Sequence, residues 1–379
     1  MPVWWGVFAY MMIVSAFGMY IYKRKPQPVT LGKSEDTREN EYKSIGLFFA
    51  LATFVLLVYF TGNRSYIFDT TDYQYAYDNY YTGDLSQIKD IFTGVIKGKG
   101  PLFSSLLVLF KHFTGGTYND WFVFVASLQA ISLALFFYRY STSFTMSIYL
   151  FMATSSFLWM VNGMRQFVAV TFILLFVEWI KKRKTILFIL VIVLAYFIHS
   201  SALIWIPVYF IIKYKPWSKA FIWLSLFVTV LLFAYLQSPL IDSSEFSYLN
   251  QASYQTGINP LRVIVMAIPT VIAFWKRKII EEKSNAFVNV WINLSVITTE
   301  CYIVGMFTSG IIGRIPAYFQ PFNYLLLPWM VKHVFTEKSD RVFIVTVYIV
   351  LFAYFLFDMY GAKNGVYNST TLNLHYNFT

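Results

Sequence analysis

Asn162-Gly-Met-Arg-Gln-Phe-Val-Ala-Val-Thr-Phe-Ile-Leu-Leu-Phe-Val-Glu-Trp-Ile180 runs into Lys-Lys-Arg-Lys at 181–184, then into Thr185-Ile-Leu-Phe-Ile-Leu-Val-Ile-Val-Leu-Ala-Tyr-Phe-Ile198 and the polar hinge His199-Ser200-Ser201. An apolar helix begins on an arginine and ends on four cations. A second apolar run climbs away from those cations, and a third, 200–213, ends on Lys213. Cations between apolar runs mark cytoplasmic turns in a membrane protein. Read as one span, 185–213 would put the later cations at 276–278 and Lys332 on the opposite side. Read as two short spans hinged at His199-Ser200, it keeps all of them together.

The same reading extends outward over the chain. A span needs about 20 apolar residues, fewer where the helix is broken or re-entrant. Spans are expected at 3–22, 44–61, 119–138, 144–161, 164–180, 185–198, 200–213, 218–237, 260–275, 286–307, 316–335 and 342–358. Residues 101–113 are too short and Gly-flanked to assign, and read as a non-crossing re-entrant segment or half-helix. The fold class is therefore all-α, a polytopic transmembrane helical bundle of about 12–14 spans with an outward-facing cavity, forming a single integral membrane domain over residues 1–379. With 23–43 in the cytoplasm, about 21 of the 30 Lys and Arg fall on that side, as the positive-inside rule requires.

Composition agrees. Of 379 residues, 58% are hydrophobic and 13% charged, against about 25% charged in soluble domains. A net charge of +11 would suggest nucleic acid in a soluble chain. Here the cations cluster between apolar runs, which argues for topology and anionic lipid instead, with no nucleic-acid partner. One Cys and four His argue against a structural zinc site. No nucleotide, dinucleotide or metalloprotease motif is present. No cofactor is expected.

Residues 62–100 and 238–259 read as external loops, and 359–379 as an external tail. The first loop carries Arg64, Asp69, Asp72, Tyr73 and further tyrosines, then Ile88, Ile91, Phe92, Val95 and Ile96 at the spacing of an interfacial helix. The second carries Asp242, Glu245, Tyr248 and Tyr254.

An intramembrane charge costs about 2.5–3.5 kcal/mol on insertion scales. Arg165, His199 and Arg314 nonetheless interrupt apolar runs, and under this topology they reach one face together with Arg64. A lone arginine at a helix end snorkels to headgroups, and a lone histidine satisfies a broken helix. Several arginines converging on one face point instead to a diphosphate, which guanidinium grips in a planar fork. Asp69, Asp72 and Tyr73 suit sugar hydroxyls. His199 suits a proton acceptor or a group that orients a hydroxyl. Glu300, inside a span, is expected either to pair with one of these arginines or to form a proton-coupled site.

The segments Asn162-Gly-Met-Arg165-Gln166-Phe-Val-Ala169 and Phe197-Ile-His199-Ser200-Ser201-Ala202-Leu203 with Pro207-Val-Tyr209, and the Asp69/Asp72-Tyr73 loop, resemble the EpsG-type family of exopolysaccharide and O-antigen polymerases, related to the Wzy type. Gly313-Arg314 is a looser match. The resemblance implies a metal-independent membrane glycosyltransferase of the bacterial inner membrane, active at the periplasmic or extracellular leaflet. It would move a glycan chain from undecaprenyl pyrophosphate to the non-reducing end of another lipid-linked repeat unit, for O-antigen, capsule or exopolysaccharide. Carried onto this chain, it implies catalytic roles for Arg165, His199 and Arg314. Substrate contacts would come from Arg64, Asp69, Asp72, Tyr73, Asn162, Gln166 and Ser200. Its implied partners are the lipid-linked oligosaccharide, the bilayer, and a chain-length regulator and flippase of the same pathway. Competing readings are an O-antigen ligase-like transferase and a flippase or transporter. Against the transporter stand the absence of an internal repeat and the gathering of charge on one leaflet.

Overall fold

The computed structural model describes residues 2–23, 35–65, 69–96, 100–236, 257–307, 312–363 and 375–376. Of the loop 238–259 only 257–259 are among them, so Asp242, Glu245, Tyr248 and Tyr254 lie outside the described residues. The helices are α1 (Pro2–Lys23), α2 (Glu35–Ala52), α3 (Val55–Gly62), α4 (Thr70–Asn79), α5 (Ser86–Phe92), α6 (Pro101–Thr114), α7 (Tyr118–Tyr140), α8 (Phe144–Ala153), α9 (Met164–Leu175), α10 (Val177–Lys181), α11 (Thr185–Ile198), α12 (Trp205–Ile211), α13 (Lys219–Leu236), α14 (Pro260–Trp275), α15 (Arg277–Lys283), α16 (Ala286–Met306), α17 (Asn323–Val334) and α18 (Glu337–Lys363). The described β-structure is one antiparallel pairing of β1 (Arg64–Ser65) with β2 (His375–Tyr376). The chain is an all-α polytopic bundle.

Five helical stretches of 19 to 23 residues are long and apolar enough to cross a bilayer: Val3–Ile21, Lys43–Gly62, Tyr118–Tyr140, Ala286–Met306 and Arg341–Tyr360. Shorter apolar helices fill the rest. The buried core runs from Trp4 to Met359 and is rich in large aromatics. Trp205 is one example, packed on Phe188, Phe319 and Phe322.

The hinge at His199 is real. Thr185 Oγ1, at the start of α11, meets Tyr209 OH at 2.8 Å, and the Phe188 and Tyr209 rings lie 5.2 Å apart. Residues 24 and 21 positions apart can touch this way only if the chain doubles back. The break is local, because His199 is extended (φ −152°, ψ 124°) between α11 and a 3₁₀ turn, Ser200–Ile204. The cationic clusters gather at the opposite end of this hairpin. There Lys215 bonds Glu281, Lys283 Nζ donates to the His333 carbonyl at 2.7 Å, and Tyr140 OH donates to Glu178 at 3.0 Å.

Besides 44–61, split between α2 and α3, 164–180, split between α9 and α10, and 200–213, which opens in the 3₁₀ turn after His199, two further expected spans are not continuous α-helices. Residues 144–161 form α8 and then a 3₁₀ segment, Ser156–Met160, with Ser155 left-handed between them. Residues 316–335 begin as 3₁₀ turns, Ile312–Tyr318 and Gln320–Phe322, and become helical only in α17. At 1.5 Å per residue, α8 and α17 reach only about 15–18 Å, roughly half the hydrocarbon thickness. Irregular backbone at that depth is tolerated only where protein covers it. Here Phe157, Met160, Ala317, Tyr318, Phe319 and Gln320 are all buried. A polar cluster crosses the two breaks: Gln320 Nε2 donates to Ser156 Oγ at 2.8 Å, Tyr302 OH donates to Gln320 Oε1 at 3.0 Å, and Thr154 and Ser156 both bond Tyr324 OH. Both broken segments lead to the same end of the bundle, one into Asn162-Gly163 and the other through Arg314.

α6 does not cross. Its first residue comes after Gly100, which packs on the tip of the α11 hairpin. Near its other end, Lys111 Nζ donates to the carbonyls of Tyr77 and Tyr81, and His112 bonds the Gly83 carbonyl. Gly100 has φ +74°, and a Cβ there would collide with the Ile198 carbonyl oxygen, so only glycine fits. The interfacial helix expected around 88–96 is shorter, α5, with Ile91 buried and Phe92 and Val95 exposed.

Candidate functional site

The site is built where the two broken segments, the hairpin tip and the first turns of α4 and α9 meet. Gly163 adopts the left-handed conformation (φ 73°) that ends the 3₁₀ segment and starts α9. That turn aims its backbone N–H at Asp69 Oδ2, 3.2 Å away, and places Arg165 and Gln166 in the first turn of α9. Gln129 Nε2 pins the same turn by donating to the Met164 carbonyl at 3.0 Å. Gln166 Nε2 donates to the Arg314 carbonyl at 2.9 Å, and Arg314 Nη2 reaches Asn162 Oδ1 at 3.4 Å. Positions 152 and 148 residues apart are thereby locked into one cluster.

Arg165 is the centre of this cluster. Its Nε and Nη1 are buried and have no hydrogen-bond partner among the described residues. Its charge acts on Tyr73, His199 and Tyr318. The Tyr73 hydroxyl also lies against the backbone N–H of Arg165, and burial and then Asp69 push its pKa upward. His199 sits at the hairpin tip, outside the helices. Its Nδ1 is 2.7 Å from Ser201 Oγ, which is 3.0 Å from Tyr318 OH. Burial, then Arg165 and Arg314, push His199 down to about 3. Burial pushes Asp69 up, while Arg314, Arg64 and the Gly163 N–H oppose the rise.

The structure thus brings together Arg165, His199, Arg314, Asp69, Tyr73, Asn162 and Gln166. Ser200 is half-buried beside His199 at the hairpin tip. Asp72 lies in the first turn of α4 and is exposed. Arg64 lies beneath the cluster rather than in it. It is 1% exposed, donates through Nε to Thr70 Oγ1 at 3.0 Å, through Nη1 to the Thr61 carbonyl and through Nη2 to Met164 Sδ at 3.3 Å, and packs over the Phe122 ring at 4.4 Å. Glu300 does not join any of these arginines through its described bonds. Ser225 Oγ and Thr229 Oγ1 of α13 donate to its two oxygens at 2.8 and 3.3 Å, because α13 and α16 pack side by side.

Two features escaped sequence reasoning. Tyr318 completes a chain of hydroxyls to His199, and nothing local marks it among 29 tyrosines. Arg262, at the start of α14, forms a two-oxygen ion pair with Asp358 near the end of α18 (2.9 and 2.8 Å), supported by Tyr354 OH. Its signal was present, since both charges fall at the same end of their expected spans. A separate apolar cavity of about 150 Å³ lies between α8, α14, α17 and α18, lined by Leu150, Met266, Tyr324 and Val347 among others. It shares no lining residue with the arginine cluster.

The set can hold an anion through guanidinium groups, with a carboxylate and a neutral imidazole alongside. The model of the EpsG family matches residues 47–377. No curated protein and no solved structure matches the chain. The match covers most of the sequence, so this protein belongs to the EpsG family, among membrane proteins of polysaccharide-polymerase type.

Proposed function

We propose that this EpsG-family membrane protein is a polysaccharide polymerase. It transfers a glycan chain from undecaprenyl pyrophosphate to the non-reducing end of another lipid-linked repeat unit. One observation carries the reading: Arg165 is held in a buried site with Nε and Nη1 open, beside Arg314 and the start of α9. Two buried guanidinium nitrogens without an acceptor are costly, and a diphosphate supplies the acceptor oxygens they lack. Diphosphate held by two arginines is also the better leaving group, because its developing charge is already stabilised. Asn162 and Gln166 set the position of Arg314. Asp69 and Tyr73 face the acceptor sugar, and Ser200 and Asp72 extend the contact surface. The positive-inside bias supports a site facing the periplasm or exterior of a bacterial cell membrane, where lipid-linked units are presented.

The test is to give purified protein a lipid-linked repeat unit alone. A polymerase makes a ladder of chain lengths from it. A single transfer product points to a ligase-like enzyme, and movement of the unit between leaflets without new bonds points to a transporter. Positive charge here comes from arginines, so EDTA should leave the rate unchanged. Loss with EDTA that Mg²⁺ restores would sink the metal-free site.

A further inference from the structure

His199 and Asp69 flank the same arginines in opposite hydrogen-bonding states. The Ser201 backbone N–H donates to His199 Nδ1 at 3.3 Å, and Ser201 Oγ lies 2.7 Å from the same nitrogen, backed by Tyr318 OH. A ring nitrogen that accepts from an amide has its lone pair engaged, so the proton of the neutral ring sits on Nε2. His199 therefore meets a substrate as a donor. Its depressed pKa agrees, because a ring held at about 3 does not collect a proton. Asp69 is the reverse. Oδ2 accepts from the Gly163 N–H, while Oδ1 is buried and has no partner among the described residues. Buried polar atoms almost always find a partner, so an open carboxylate oxygen in a site awaits a donor, and a sugar hydroxyl is one.

Building on the polymerase reading, we propose that Asp69 Oδ1 is the proton acceptor for the attacking sugar hydroxyl, and that His199 Nε2–H, fixed by Ser201 and Tyr318, donates to the departing diphosphate. The acceptor oxygen bonds the anomeric carbon of the donor chain. The bond from that carbon to the diphosphate oxygen breaks, and its electron pair leaves with the diphosphate, where Arg165, Arg314 and His199 Nε2–H receive the charge. The hydroxyl proton passes to Asp69 and from there to water. Ser201 and Tyr318 are positioning residues.

The experiment measures initial polymerisation rates against pH for the full-length protein with a lipid-linked repeat unit, and separately its binding of undecaprenyl diphosphate. Asp69→Asn keeps an acceptor for Gly163 but cannot take a proton. Its kcat should fall on the order of 10²–10⁴-fold, with undecaprenyl diphosphate affinity within about twofold of wild type, since general-base loss leaves ground-state binding alone. Wild-type rate should fall as pH drops through the raised Asp69 pKa. That acid limb should survive in His199→Gln, whose amide still offers a donor, with kcat about tenfold lower. Imidazole ¹⁵N NMR should show the Nε2–H tautomer at His199 in wild type and a mixture in Tyr318→Phe and Ser201→Ala. Full kcat in Asp69→Asn, or loss of the acid limb in His199→Gln, overturns the assignment. Should Asp69→Asn fail to fold, the His199→Gln profile decides by itself. A wild-type protein that makes no ladder overturns the polymerase reading and this inference with it, whereas a wild-type ladder with a fully active Asp69→Asn overturns the inference alone.

Discussion

Arg64 and Arg165 are two arginines of one neighbourhood with opposite fates. Arg64 is sealed at 1% exposure with Nε, Nη1 and Nη2 all donating, its last bond falling on Met164, the residue next to Arg165. Arg165 keeps Nε and Nη1 buried and open. The first guanidinium is used up by the fold, since it ties α3, α4 and the start of α9 together. The second is held in place by the fold and left without an acceptor. A buried charge without compensation costs several kcal/mol, so such a group persists where a ligand completes it. The difference separates scaffold from site more sharply than burial or charge does.

The largest effect should come from removing the open arginine. Arg165→Ala should abolish long-chain polysaccharide, a loss on the order of 10²–10³-fold or more for a charge-stabilising donor. The protein should still insert, with a thermal midpoint equal to or above wild type, because the substitution relieves an unpaired charge. Arg165→Lys should recover little, since an ammonium is a point charge without the two-pronged fork. Polysaccharide chain length and the midpoint of the detergent-solubilised protein check this together. Normal chain lengths in Arg165→Ala would break the comparison at its stronger end.

Removing the closed arginine should act on stability instead. Arg64→Met leaves the Thr61 carbonyl and Thr70 hydroxyl without their cationic donor and loses the contact over Phe122. Hydrogen bonds to charged groups contribute about 1.5–3 kcal/mol each, so destabilisation of about 2–4 kcal/mol is expected. It should appear as a lower midpoint and less folded protein in membranes, while undecaprenyl diphosphate affinity per folded molecule holds. Weakened affinity at an unchanged midpoint would move Arg64 into the site.

Much of this architecture was legible because lipid imposes simple rules. Apolar length and cation clusters sufficed to locate α1, α7, α11 and the hairpin at His199. Charges inside apolar runs sufficed to single out Arg165, His199 and Arg314, which do meet. The breaks after α8 and before α17 were not legible. Hydropathy sees 144–161 and 316–335 as continuous, and what stabilises the breaks is contact between Ser156 and Gln320, 164 residues apart. The contrast between Arg64 and Arg165 was equally hidden. Both are arginines at span ends, and only their tertiary neighbours, Thr70 and Phe122 for one and Tyr73, His199 and Tyr318 for the other, give them different work. Glu300 likewise had no local cue that two hydroxyls of α13 would satisfy it.

The smallest effect sharpens a second pair from the same loop. Asp69 and Asp72 are three residues apart and look alike in sequence, yet Asp69 turns Oδ2 to Gly163 and buries Oδ1, while Asp72 is exposed in the first turn of α4. Exposed, Asp72 can meet only sugars of the acceptor that remain hydrated, and a hydrogen bond that replaces one to water is worth about 1 kcal/mol or less. Asp72→Asn should therefore raise KM for the acceptor by less than about fivefold and leave kcat intact, the pattern of an interaction equally strong in ground and transition states. A drop in kcat comparable to that of Asp69→Asn would mean that α4 turns its exposed face inward when the acceptor binds. Both carboxylates would then belong to the chemistry rather than one.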